Sequence, residues 1–111
     1  MDQLTKYRIF IKDLLSKYVS NAPSKTDWES QLIFDEERDH YLWLNVGWNA
    51  SKRIYHAVIH LDIKEGKIWL QKNTTDFNPA EDLIELGVNR EDIILGLQPP
   101  IKRPFTAYGV A

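Results

Sequence analysis

The chain of 111 residues contains no cysteine, which excludes a disulfide framework, a thiolate nucleophile and a Cys-ligated metal. A reducing, cytoplasmic setting fits that lack. Long hydrophobic runs are also missing: nowhere do about 18 apolar residues follow one another, as a membrane-spanning helix requires. Met1-Asp2-Gln3-Leu4-Thr5-Lys6 shows no basic stretch leading into an apolar one, so neither export nor a membrane span is expected. Positive charge is not in excess, since the formal net charge is −2, and this disfavours a domain that grips a phosphate backbone. Glycine and proline number only five each, too few for a low-complexity chain.

What is present suits one folded α+β domain over residues 1–111. Hydrophobic residues make up 43% and aromatic residues 12%, with four tryptophans, which is too much apolar material for a disordered chain. A chain of this size buries roughly two-thirds of its unfolded surface, enough for a core without staples.

Leu4, Tyr7, Ile11, Leu14, Leu15 and Tyr18 recur at the three-and-four spacing of one helical face. They predict an amphipathic helix over about residues 2–20, capped by Asp2 and ended by Asn21-Ala22-Pro23-Ser24, because proline disfavours helical geometry in the residue before it. From about residue 28 to residue 72 the period changes to two, with β-branched and aromatic residues. Four strands in an antiparallel meander are expected: Trp28 to Phe34, Tyr41 to Trp48, Arg53 to Ile63 and Lys67 to Lys72. Asn78-Pro79-Ala80-Glu81 then reads as a helix start and Gly87 as its left-handed stop, giving a second helix over about residues 79–87. Asn89-Arg90-Glu91-Asp92 offers a short turn before the apolar run Ile93-Ile94-Leu95. The proline-rich tail of residues 98–111 is expected to be extended and docked.

Glu65-Gly66 in a two-residue turn pairs Ile63 with Ile68 and Leu61 with Leu70. Carried back one hairpin, the register sets Val46 opposite Tyr55, Leu44 opposite Ala57 and Leu42 opposite Ile59, all on a face packed against the helices. The other face would then collect Tyr41, Trp43, His56, Val58, His60, Asp62, Trp69 and Gln71.

Each motif with chemical potential also has a plainer explanation. His40, His56 and His60 with Asp62 suggest a metal, but His56 and His60 on one strand would stand roughly 13 Å apart, too far for one ion. His60 and Asp62 share a face and need a further residue brought from elsewhere, so no metal or other cofactor is assigned. Asp62 followed by Glu65-Gly66-Lys67 superficially resembles a nuclease pattern, yet Glu65 sits in a hairpin turn where it cannot converge on an ion. The acidic loop Asp35-Glu36-Glu37-Arg38-Asp39 is read as a solvated connection. No nucleophile elbow or phosphate-binding glycine loop is present. Catalysis therefore has no visible engine, and the large amphipathic side chains favour protein recognition instead.

The residues Asp39-His40-Tyr41, Gly47-Trp48, Ile59-His60-Leu61-Asp62-Ile63, Lys67-Ile68-Trp69, Leu83 to Val88 with Glu91-Asp92-Ile93, Pro99-Pro100, Arg103-Pro104-Phe105-Thr106 and Val110-Ala111 occur in an order that resembles the XisI family of fdxN-element excision controlling factors, small cyanobacterial proteins. The resemblance runs from Trp28 to Ala111. Asn89 stands where that family commonly has proline, and Gln98 where it commonly has histidine. The resemblance implies an α+β fold and an accessory role in developmentally regulated DNA rearrangement, in which a separate recombinase cuts and rejoins the strands. It implies an XisH-family companion protein as partner and supplies no catalytic residue.

The expectation is thus a non-enzymatic, protein-binding regulator that forms a homo-oligomer. Its contact surface is expected to comprise Trp43, His56, His60, Asp62, Trp69, Arg103, Phe105 and Tyr108. The alternative is direct DNA binding through Lys52, Arg53, Lys102 and Arg103. A metal-dependent enzyme using His60 and Asp62 ranks third.

Overall fold

The computed structural model describes residues 1–22 and 27–111. Helix α1 spans Gln3–Asn21, and the Asp2 carboxylate caps it by accepting from the Thr5 amide at 2.7 Å. Tyr7, Ile11, Leu14, Leu15 and Tyr18 are its buried residues, the stripe that the apolar spacing marks. Ala22 leaves the helix with an extended backbone, ψ 148°, the geometry preferred before proline. Pro23 and Ser24 of the expected stop lie outside the described residues.

Five strands follow in the order of the chain: β1 (Trp28–Asp35), β2 (His40–Asn49), β3 (Lys52–Lys64), β4 (Lys67–Asn73) and β5 (Ile93–Leu95). The first four form the expected antiparallel meander, and Glu65 and Gly66 turn β3 into β4 with φ of 52° and 78°. β5 corrects the strand count. It pairs parallel to β4, Ile68 opposite Ile93 and Leu70 opposite Leu95, so the sheet is mixed. The crossover carries helix α2 (Pro79–Leu86), started by Asn78 accepting from the Glu81 amide and stopped by Gly87 at φ 121°. A 3-10 turn at Arg90–Asp92 leads into β5. The tail is not extended throughout, because Pro100–Phe105 forms a second 3-10 turn.

Both helices cover one face of the sheet. The core beneath them joins the α1 stripe to Tyr41, Trp43, Ile59, Leu61, Ile63, Ile68, Leu70, Ile93, Ala80 and Leu83. Tyr18 and Asp82 tie α1 to α2 by a hydrogen bond, and Tyr18 stacks on Phe77 at 4.2 Å. Arg8 clamps the acidic loop by donating to both carboxylate oxygens of Asp39 at 2.8 and 3.1 Å, while Lys12 reaches Glu36 at 2.8 Å. Two of that loop's four carboxylates are therefore paired with cations of α1. No helix among the described residues is long and apolar enough to cross a membrane.

A β-bulge decides which residues the helices cover. Val46 faces Tyr55 and Leu44 faces Ala57 as expected, but Trp43 then pairs with Ile59, leaving Val58 without a partner on β2. An extra residue on one strand reverses the alternation beyond it. Leu42 consequently pairs with His60, not Ile59, and Tyr41 with Leu61. The buried residues of β2 are Tyr41 and Trp43, whereas Leu42, Leu44 and Val46 point to the side away from the helices and are only half-buried. The expected allocation of β2 to the two faces is thereby inverted.

Candidate functional site

The sheet face away from the helices is divided in two. Across β1, β2 and β3 it presents Ile33, Leu42, Leu44, Val46, Tyr55 and Ala57, with Ile33 47% and Tyr55 65% exposed. Trp48, half exposed, and Tyr55 flank Arg53, whose guanidinium lies 5.3 and 5.8 Å from their ring centroids. Across β4 and β5 the C-terminal tail covers the same face. The Leu97 amide extends the ladder to Leu70 and the Gly109 amide donates to Ile93 at 2.8 Å, leaving Ile94 fully buried.

Where those halves meet, a polar cluster grows from strand register. His40 at the start of β2 lies opposite Asp62 of β3, and His60 sits two residues before Asp62 on the same face. His40 Nδ1 and His60 Nε2 both donate to Asp62 Oδ1, at 2.7 and 2.8 Å, because an ionised carboxylate only accepts. Gln71 donates to Oδ2 at 3.1 Å. A second irregularity places that amide, since His60 pairs with Lys72 and Leu61 with Leu70, so Gln71 is the residue left over. Burial alone would raise the Asp62 carboxyl, but the hydrogen bonds from His40, His60 and Gln71 and the charge of His60 outweigh it and hold the group below its ordinary value. The two imidazole nitrogens and a carboxylate oxygen lie within 4.8 Å of one another, the donor set of a transition-metal site.

Only some of the expected contact residues come together. His60, Asp62 and Trp69 share this face, and Arg103 lies with its guanidinium 5.0 Å from the Trp69 ring centroid, Lys64 completing the stack at 4.4 Å. Arg103 is buried and donates to the carbonyls of Leu95 and Gln98, so it staples the tail and presents no charge to a phosphate. Phe105 projects into solvent at 88% exposure. Tyr108 turns toward α2, bonding Glu81 beneath Arg90.

Trp43 and His56 lie on the other side of the sheet. Trp43 is buried under α1, 4% exposed, because the bulge turns it inward, and its indole Nε1 has no hydrogen-bond partner among the described residues. His56 pairs with Asn45, two residues along β2 from Trp43, and therefore sits on the side of the sheet opposite His60. Sequence reasoning named His40 but did not place it beside His60 and Asp62, and it missed the half-buried aliphatic residues of β2 as surface.

The chain matches the family model described as XisI protein over residues 1–110, so the likeness extends across α1 as well as the sheet. It is similar to the crystal structure of a XisI-like protein from Anabaena variabilis ATCC 29413, with 60% identity, a TM-score of 0.93, and coverage of 97% of this chain and 99% of that one. It is also similar to the fdxN element excision controlling factor XisI from the same organism, with 39% identity, a TM-score of 0.86, and coverage of 99% and 100%. No curated protein matches the chain.

Proposed function

The chain belongs to the XisI family, and from this we propose that it is a non-enzymatic accessory factor in the excision of a DNA element, acting by binding a companion protein of the XisH family. A separate recombinase performs the strand chemistry. The observation that carries the reading is the uncovered half of the sheet, where Leu42, Leu44 and Val46 of β2 run between Ile33 of β1 and Tyr55 and Ala57 of β3, bordered on β1 by Gln31 and Glu29. Contiguous apolar surface of this kind marks interaction sites on folded proteins. Leu44, near the middle of the patch, is the informative position. Trp69 is a poorer probe, because removing its ring also releases Arg103 and the tail.

The experiment is co-expression and affinity capture of the companion by wild type and by Leu44→Lys, beside circular dichroism of both. Capture by wild type and its loss in a folded Leu44→Lys variant is the expected result. Undiminished capture by the variant rejects this face. Direct DNA binding that weakens steeply with salt would favour the alternative, for which Lys52, Arg53 and Lys102 remain exposed while Arg103 does not. Sedimentation of the same two proteins reads whether self-association, which also suits the patch, uses the same surface.

A further inference from the structure

We propose that His40, His60 and Asp62 form a binding site for one divalent transition-metal ion of the zinc class, open to solvent on the sheet face away from the helices. The site does not rest on the excision reading, and it would exist whatever partner the apolar patch takes. Three observations carry it. The first is convergence: His40 Nδ1 and His60 Nε2 approach the same carboxylate oxygen from two strands, at 2.7 and 2.8 Å. Tetrahedral ligands with bonds of about 2 Å stand about 3.3 Å apart. The imidazole nitrogens stand 2.7 and 2.8 Å from the carboxylate oxygen, and all three ligand atoms lie within 4.8 Å of one another, close enough to that value for side-chain rotation to open room for an ion.

The second is the gradation of exposure. The Asp62 side chain is 10% exposed, that of His60 35% and that of His40 55%, which gives an anchored carboxylate at the base and an entry path beside His40. The third is the support around the ligands. Gln71 holds Asp62 Oδ2 and so leaves Oδ1 aimed at the imidazoles, an outer partner of the kind that orients metal-binding carboxylates. Two strand irregularities, at Val58 and Gln71, bring His60 and Gln71 to this spot. Bulges are enriched where a side chain must be re-aimed. Two imidazoles and one carboxylate without thiolate suit zinc, nickel, cobalt or ferrous iron and leave coordination positions for water or a partner's side chain.

Ligation has a signature that a purely hydrogen-bonded cluster lacks. Without metal, His40 carries its proton on Nδ1 and His60 on Nε2, the atoms that donate to Asp62. With an ion on those atoms, each proton must reside on the opposite ring nitrogen. The test titrates zinc chloride into the metal-stripped full chain by calorimetry and follows the imidazole tautomers by nitrogen-15 NMR. The expected result is one ion per chain, a tautomer change at both histidines, loss of that binding in His60→Gln and affinity weakened about tenfold or more in Gln71→Ala. Circular dichroism verifies that each variant is folded, and the tautomer measurement on wild type stands should either variant fail to fold. Absence of saturable binding by the folded wild type overturns the proposal. So does zinc binding that leaves both tautomers unchanged or persists undiminished in His60→Gln.

Discussion

At the scale of single residues, the part-buried Asp39 and the buried Asp62 commit negative charge to the fold. The hydrogen bond from Arg8 holds the Asp39 carboxyl below its ordinary value against the opposing effect of burial, with help from the Tyr41 hydroxyl. Asp62 is likewise depressed, its three hydrogen-bond donors overcoming burial. A carboxylate whose folded pKa lies below its unfolded one adds stability above the unfolded value, about pH 4, and loses it as pH falls through the folded value. The protein should therefore be destabilised progressively below about pH 4. Asp39→Asn removes one such contribution. Urea denaturation across a pH series should show the variant about 1–3 kcal/mol less stable at pH 7, the loss of a part-buried charged hydrogen bond. The difference from wild type should shrink as pH falls below about 4 and through the lowered folded-state value of the Asp39 carboxyl.

At the scale of elements, the bulge in β3 assigns each side chain its environment. It turns Tyr41 and Trp43 beneath α1 and leaves Leu42 and Leu44 uncovered, so β2 contributes aromatic mass to the core and aliphatic surface to the exterior. Trp43 packs in that core beside the end of α1, lining with Val19, Ala22, Trp28 and Phe77 a cleft of about 800 Å³. Its function is thus structural support between α1 and the sheet. Trp43→Ala should cost about 3–5 kcal/mol, the range for truncating a buried aromatic residue, and a chemical denaturation curve would register it. A loss below about 1 kcal/mol would contradict the packing described.

For the molecule as a whole, the C-terminal tail covers β4 and β5 on the face away from the helices and, among the described residues, leaves that face of β1, β2 and β3 uncovered. It lies along β5 and over Ile94, fastened by Arg103 to the carbonyls of Leu95 and Gln98 and by the Gly109 amide to Ile93. The fit at Gly109 is close: a Cβ there would stand 2.1 Å from the Glu91 carbonyl oxygen and 2.9 Å from Ile94. Gly109→Ala should lift the tail, with a loss of about 1–3 kcal/mol typical of forcing extra atoms into a packed site. Thermal melting would read this as a lower Tm, at about 4–8 °C per kcal/mol for a domain of this size. Proteolysis of the folded variant should then cut within the tail first. An unchanged Tm and unchanged cleavage would mean that the tail is not fastened there.

Local chemistry made much of this architecture legible. The spacing in α1, the Asp2 and Asn78 caps, the stop at Gly87 and the turn at Glu65-Gly66 each depend on residues close in the chain, so their signals survive in the sequence. The family motifs were legible for the same reason. Three things were decided only in the folded molecule. The bulge falls in Ala57-Val58-Ile59, three consecutive apolar residues whose pattern reads equally well in either register, so nothing local marks the extra one. β5 is three residues long and pairs with a strand more than twenty positions earlier, too short to show a period of its own. His40 meets Asp62 only because the altered register brings them opposite each other. Which strands exist was written in nearby residues; which face each side chain occupies was set by packing between distant ones, because one shifted pairing reverses every position beyond it.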